Sequence, residues 1–160
     1  MKKIDIIYLS DFIISYFNKS GEFISNKKLQ KLLYYIQAWH LVYFEGKLIF
    51  VDKPEAWVHG PVYRVVYDKY KKFGYNPLKT VEYEFKDSDV FSYLDLKKDQ
   101  IDLIREVLKK YAPLSAFQLE ALTHNEKPWL EKREGLSDFV RCESDISFDT
   151  MKEYYSSLVN

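Results

Sequence analysis

The chain has 160 residues, with 24 Lys and Arg against 24 Asp and Glu, so its formal net charge is zero. Apolar residues at 47% and charged residues at 30% exclude a disordered chain, and the length suits one domain over residues 1–160. The balanced charge offers no global positive excess for nucleic acid, and the lone cysteine, Cys142, excludes an internal disulfide.

No apolar run approaches the roughly 20 residues that span a bilayer. Met1-Lys2-Lys3-Ile4 begins like a signal peptide, but Asp5, Ser10 and Asp11 interrupt the apolar stretch and no small-residue cleavage site follows. A reducing, cytoplasmic setting is therefore expected. Aromatic content is the unusual quantity: 14 Tyr, 11 Phe and 3 Trp suit either a bulky core or a contact surface.

Ile6, Leu9, Ile13, Tyr16 and Phe17 share one helical face, and Asn18-Lys19-Ser20-Gly21 ends that helix with turn chemistry. Ser25 is a candidate N-cap for a second helix running to about Glu45, with Gly46 as its stop. Leu29, Leu32, Leu33, Ile36, His40 and Phe44 lie on one side of it, and Tyr34, Ala38, Leu41 and Val42 lie roughly opposite. A helix apolar nearly all round belongs in the middle of its domain.

Lys47–Val51 and Glu55–Val58 read as short extended pieces. His59-Gly60-Pro61 reads as a turn, with Pro61 at the first position of a helix that carries Val62, Val65, Val66, Tyr70 and Phe73 to Gly74. Val81–Phe85 alternates with a period of two, predicting a strand that pairs with 48–50 or 56–58. Helical spacing returns from Ile101 to Tyr111, and Ser115 with Gln118 forms a capping box for a helix ending near His124. Residues 125–144 read as a polar loop around Trp129 and Phe139, followed by a last helix capped by Asp149. The expected fold is mainly α (α+β), with about six helices and a small antiparallel β element.

Catalytic signatures are not found. His40, His59 and His124 are too far apart in sequence for a helical metal-ligand pair, and Cys142 stands among acids, a poor setting for a thiolate nucleophile. No G-x-S-x-G elbow occurs, and the five glycines are singletons, so no phosphate cradle is present. The reading is a protein that is not an enzyme and needs no cofactor or metal.

Three segments are more specific. In Lys28–Trp39, Gln30 and Gln37 stand seven apart on a buried helix. They either tie down the backbone of a neighbouring loop, the favoured reading, or form a polar seam for a partner. In Glu55–Pro61, Gly60 frees the backbone while Trp57 and His59 alternate to one face of an extended segment. Here a rigid corner and a contact surface are equally good readings. In Leu119–Trp129, His124 ends a helix whose dipole favours its charged form, beside a packed Trp129.

In that order, K-L-Q-K-L-L-Y-Y-I-Q-A-W at 28–39, Glu55-Ala56-Trp57 with His59-Gly60-Pro61-Val62, and Leu122-Thr123-His124 with Pro128-Trp129 resemble the Panacea domain of SocA-like antitoxins and phage-associated proteins. The resemblance covers residues 4 to about 130. It implies a bacterial or phage antitoxin that neutralises a cognate protein toxin by direct contact, and in at least one relative the antitoxin delivers its toxin to a ClpXP-type protease.

On this reading the partner-binding residues are Tyr34, Tyr35, Gln37, Trp39, Glu55, Trp57, His59, Gly60, Pro61, Tyr63, His124 and Trp129. Two other readings compete. A nucleic-acid-binding regulator would use Arg64, Lys69, Lys71 and Lys72 on the helix at 62–73, and a hydrolase would use His59 or His124 with an acid.

Overall fold

The computed structural model describes residues 1–80 and 90–159. Among these, six α-helices surround a seventh, long central helix, and a two-stranded hairpin packs at its N-terminal half.

Helix α1 (Ile6–Lys19) starts where the Asp5 carboxylate accepts hydrogen bonds from the backbone of Ile7 and Tyr8. Helix α2 (Asn26–Tyr43) starts at the expected N-cap, with Ser25 Oγ accepting from Lys28 N at 3.2 Å. Its chain turns away after Phe44, through positive φ at Glu45 and Gly46. From Leu29 to Leu41 every residue of α2 is buried, and the helix touches α1 together with most of the elements that follow it. The all-round apolar pattern therefore marks the central helix.

The buried polar residues of α2 explain what lies beside it. Gln37 Nε2 donates to the Phe50 carbonyl at 2.6 Å, and its Oε1 accepts from Ile49 N at 3.0 Å. Ile4 N donates to the Ile49 carbonyl at 2.8 Å. The backbone of 49–50 is thus paired with a helix side chain and the N-terminal segment, which is why these β-forming residues make no strand. Seven residues earlier, Gln30 Oε1 accepts from Tyr63 N at 2.8 Å while Nε2 donates to Asn26 Oδ1 at 3.1 Å. Both glutamines tie down neighbouring backbone.

The hairpin consists of β1 (Glu55–Trp57) and β2 (Gly60–Val62), antiparallel with Trp57 opposite Gly60 and Ala56 opposite Pro61. The extended piece expected at 55–58 pairs with 60–62 in this short hairpin, and the strand expected at 81–85, with its pairing to 48–50 or 56–58, lies outside the described residues. Pro61 sits in β2 and not at a helix start, because pairing with β1 and the Gln30 bond to Tyr63 keep 60–63 extended. Residues 144–146 lie along the other edge of β1, with Ala56 N donating to the Ser144 carbonyl and Ile146 N to the Pro54 carbonyl.

Helix α3 (Arg64–Tyr70) continues as a 3₁₀ turn at Lys71–Phe73 and stops at Gly74, where φ is 56°. A second 3₁₀ turn spans Val90–Tyr93. Helix α4 (Lys98–Tyr111) begins one turn before the apolar spacing does, and α5 (Ala116–His124) carries the expected Ser115–Gln118 capping box. Helix α6 (Lys127–Lys132) corrects the expected loop. It is too short to show a periodicity, but Pro128 suits its first turn. Helix α7 (Phe148–Ser157) is capped by Ser147, two residues before the expected Asp149, which lies in its first turn.

Replacing Gln37 by Leu would orphan the buried Ile49 N–H and Phe50 C=O together. We expect Gln37→Leu to lose about 2–4 kcal/mol in urea unfolding, since each orphaned group costs about 1–3 kcal/mol. A loss below about 0.5 kcal/mol, the size of an ordinary surface change, would contradict this role.

Candidate functional site

The hairpin, the first two turns of α2, and α3 enclose a cleft of about 880 Å³ whose lining includes Lys27, Lys31, Trp57, His59, Arg64 and Tyr67. Two pairs of residues spaced i, i+4 meet beside it: Lys27 and Lys31 on α2, and Glu120 and His124 on α5. Such spacing places each pair on one helix face.

Between them sits the hairpin turn. His59 Nδ1 lies 2.6 Å from Glu120 Oε1, and Lys27 Nζ lies 3.0 Å from Glu120 Oε2. Burial pushes the Glu120 carboxyl up, but the bonds from Lys27 and His59 outweigh it and hold the group below its ordinary value.

Lys31 is only 1% exposed and donates to the Pro61 carbonyl at 3.1 Å. Desolvation, with repulsion from Lys27 next and attraction to Glu120 opposing, lowers its amine to about 7. Gly60, at φ 102°, makes the close approach feasible: a Cβ there would stand 2.5 Å from Lys31 Cε and 2.9 Å from Thr123 Oγ1.

The other wall is aromatic and ionic. The Trp57 ring packs edge-on to Tyr67 at 4.8 Å, with the Arg64 guanidinium 5.2 Å from its centroid. Glu55 takes Arg64 in a fork, Nε to Oε2 at 3.0 Å and a terminal nitrogen to Oε1 at 2.8 Å, and also accepts from Trp57 Nε1. Trp57 and His59 do not alternate along one strand, because the turn intervenes, yet both side chains reach the cleft.

The remaining predicted residues lie behind this surface. Trp129 stacks on His124 at 4.0 Å and donates from Nε1 to the Trp57 carbonyl at 2.8 Å. Arg133, which sequence reasoning did not single out, donates to the Ala56 and Val140 carbonyls and braces the hairpin from below. Burial lowers the His124 pKa, so desolvation outweighs the helix dipole expected to favour its charged form.

Tyr34, Tyr35, Gln37 and Tyr63 are at most 1% exposed and Trp39 is 8% exposed, so all five are interior residues. Tyr35 and Tyr155 both donate to Glu126 Oε1, at 2.6 and 2.8 Å, and the Tyr34 hydroxyl pairs with that of Tyr155. Tyr35 stacks on Tyr111 at 4.1 Å, and Trp39 Nε1 donates to the Tyr111 hydroxyl. Gly60 and Pro61 are buried as well.

Lys27, Lys31 and Glu120 escaped sequence reasoning because isolated charges on helices read as solvated faces. The i, i+4 spacing of Lys27 with Lys31, on a helix otherwise buried, was the available signal.

For the nucleic-acid reading, Arg64 is paired with Glu55 and Glu143, Lys69 with Asp11, and Lys71 with Asp68. These pairings leave little free positive charge on α3 for phosphates. Among the described residues no group of three or more His, Cys, Asp or Glu is placed to hold a metal ion, and no helix is long and apolar enough to cross a membrane.

The hairpin corner thus packs on the buried helix that carries the first of the three signature segments. The family model described as "Antitoxin SocA-like, Panacea domain" matches residues 29–130, from α2 into α6. That is more than half of the chain, and the chain belongs to this family. The match starts at Leu29, so α1 lies before it and α7 after it. No curated protein and no solved structure matches the chain.

Two outcomes follow. Gly60→Ala should lose at least about 2 kcal/mol, because the left-handed backbone and the Lys31 contact both oppose a Cβ. Glu126→Gln keeps an acceptor for both tyrosines and removes a buried charge. Burial raises the Glu126 carboxyl, so the wild-type stabilisation is present below its unfolded value and lost as pH rises through the folded one. The stability of Glu126→Gln relative to wild type should therefore be greater at pH 7 than at pH 4, measured by thermal melts, and an advantage that shrinks with pH would contradict the assignment.

Proposed function

We propose that this chain is the antitoxin of a toxin–antitoxin pair and neutralises a cognate protein toxin by direct binding, without catalysis of its own. The observation that carries the reading is membership of the SocA-like antitoxin family across the segment that forms the cleft. The cleft supports its placement. Trp57 and His59 line it from the hairpin, Glu55 holds its Arg64 in place, and a tryptophan beside an arginine is the kind of anchor that dominates protein interfaces.

On this reading the twelve predicted residues divide by depth. Glu55, Trp57 and His59 make contact, and Gly60 and Pro61 shape the hairpin. Tyr34, Tyr35, Gln37, Trp39, Tyr63, His124 and Trp129 hold that surface in place from inside. The protein acts in the cytoplasm of a bacterium or of a phage-infected cell. Delivery of the toxin to a ClpXP-type protease is the adaptor form of the same mechanism, and it predicts a toxin level that falls on co-expression only in protease-proficient cells.

The test is co-expression with the product of the adjacent reading frame. Growth should be restored and the two proteins should co-purify. Trp57→Ala should weaken the complex at least about tenfold, as loss of an interface anchor does. Rescue without any physical association would overturn the direct-binding mechanism.

A further inference from the structure

The cleft contains a buried cation that its own fold leaves incompletely matched. A lysine ammonium has three protons to donate. Among the described residues Lys31 has one acceptor, the Pro61 carbonyl, and it is 1% exposed. Its nearest carboxylate, Glu120, already receives Lys27 and His59 on its two oxygens. With Lys31 charged, two lysines face one glutamate, an excess of a single positive charge before His59 is counted.

The other cations of the cleft are matched internally, Arg64 by Glu55 and Glu143, Arg141 by Glu143, and Lys71 by Asp68. Beside the unmatched amine the wall is apolar and aromatic, formed by Trp57, Val58, Val62 and Tyr67.

We propose that Lys31 is a receptor for one side-chain carboxylate, and that the cleft binds an extended segment of the partner in which an Asp or Glu is flanked by apolar residues. This rests on the binding reading above and names the chemistry the partner must present. The single-charge excess fits a monoanion. A phosphate dianion would bring two negative charges next to Glu120 and would be opposed by it. Desolvation has already lowered the Lys31 amine to about 7, and an incoming carboxylate would restore its charged form, as an ion pair in a low-dielectric site does.

Two features place the recognition at Lys31 and not at the rim. Lys27 is already held by Glu120, and the His59 side chain is 70% exposed, where ion pairs are screened. The close approach at Gly60 fixes the amine against the hairpin, so the receptor is rigid before anything binds.

The probe is a fluorescein-labelled octapeptide of alternating Leu and Glu, titrated into the full chain by fluorescence anisotropy, beside the same peptide with Gln for Glu. The Glu peptide should bind at least about tenfold tighter than the Gln peptide, and Lys31→Met should remove most of that difference. Lys98→Met, at a side chain that is 90% exposed, should not change it.

Lys31→Met exchanges a buried amine for an apolar stem of similar length. If it nevertheless fails to fold, the wild-type chain decides: the Glu peptide, and not the Gln peptide, should shift the Lys31 side-chain resonance in a lysine-labelled NMR spectrum. Three outcomes would overturn the proposal: equal binding of the Glu and Gln peptides, Glu-peptide binding that leaves the Lys31 side-chain resonance unmoved, or displacement of the peptide by inorganic phosphate more readily than by acetate.

The neighbouring gene product separates this proposal from the functional reading. Its failure to bind the wild-type chain counts against the antitoxin assignment alone. Equal binding of that product by wild type and Lys31→Met counts against the carboxylate receptor alone.

Discussion

Two amide side chains on one buried helix hold the irregular half of this protein. Gln37 closes a pair of hydrogen bonds with the backbone of 49–50, and Gln30 receives the Tyr63 amide where the hairpin enters α3. A helix interior has no free backbone groups to offer a neighbouring loop, so side-chain amides must do the pairing. The cost of leaving those loop groups unpaired, about 1–3 kcal/mol each, makes the arrangement hard to lose. With 49–50 and 63 fixed, the intervening residues have little choice but to double back as a hairpin over the N-terminal turns of α2.

That placement produces the cleft. The hairpin turn lands between the Lys27–Lys31 pair of α2 and the Glu120–His124 pair of α5, and Trp129 and Arg133 clamp it through the carbonyls of Trp57 and Ala56. The same helix carries His40, whose Nδ1 donates to the Lys47 carbonyl at 2.7 Å while Nε2 accepts from Gln100. The bond accepted at Nε2 requires the neutral ring, consistent with a pKa lowered by burial. The polar residues of α2 are thus of two kinds. Asn26, Gln30, Gln37 and His40 are satisfied by the fold, whereas Lys31 has capacity left over.

How much of this was legible in the sequence depends on the length scale of each signal. The central helix was readable because apolar residues surround it, and the caps at Ser25 and Ser115 were readable because they are local. The antitoxin family was readable because three separated segments occurred in the right order. Helix α6 was not, since six residues give no periodicity to read. The hairpin was not readable because Val58-His59 lacks the Asn-Gly character of a tight hairpin turn, with the positive φ falling on Gly60 instead. The depth of Tyr34, Tyr35 and Trp39 was hidden for another reason. Tyrosine and tryptophan serve equally well in cores and at interfaces, and only the Glu126 and Tyr111 partners, far away in sequence, decide between the two.

The account stands on the amide ties of α2, and native-state hydrogen exchange reads them most directly. The Ile49 and Tyr63 amides lie in segments without regular helical bonding, yet the structure gives both a buried glutamine acceptor. They should exchange as slowly as the amides in the middle of α2, opening only with global unfolding. Exchange of either amide at the rate of an ordinary surface loop, while α2 stays protected, would contradict the claim that these ties hold the hairpin and its cleft in place.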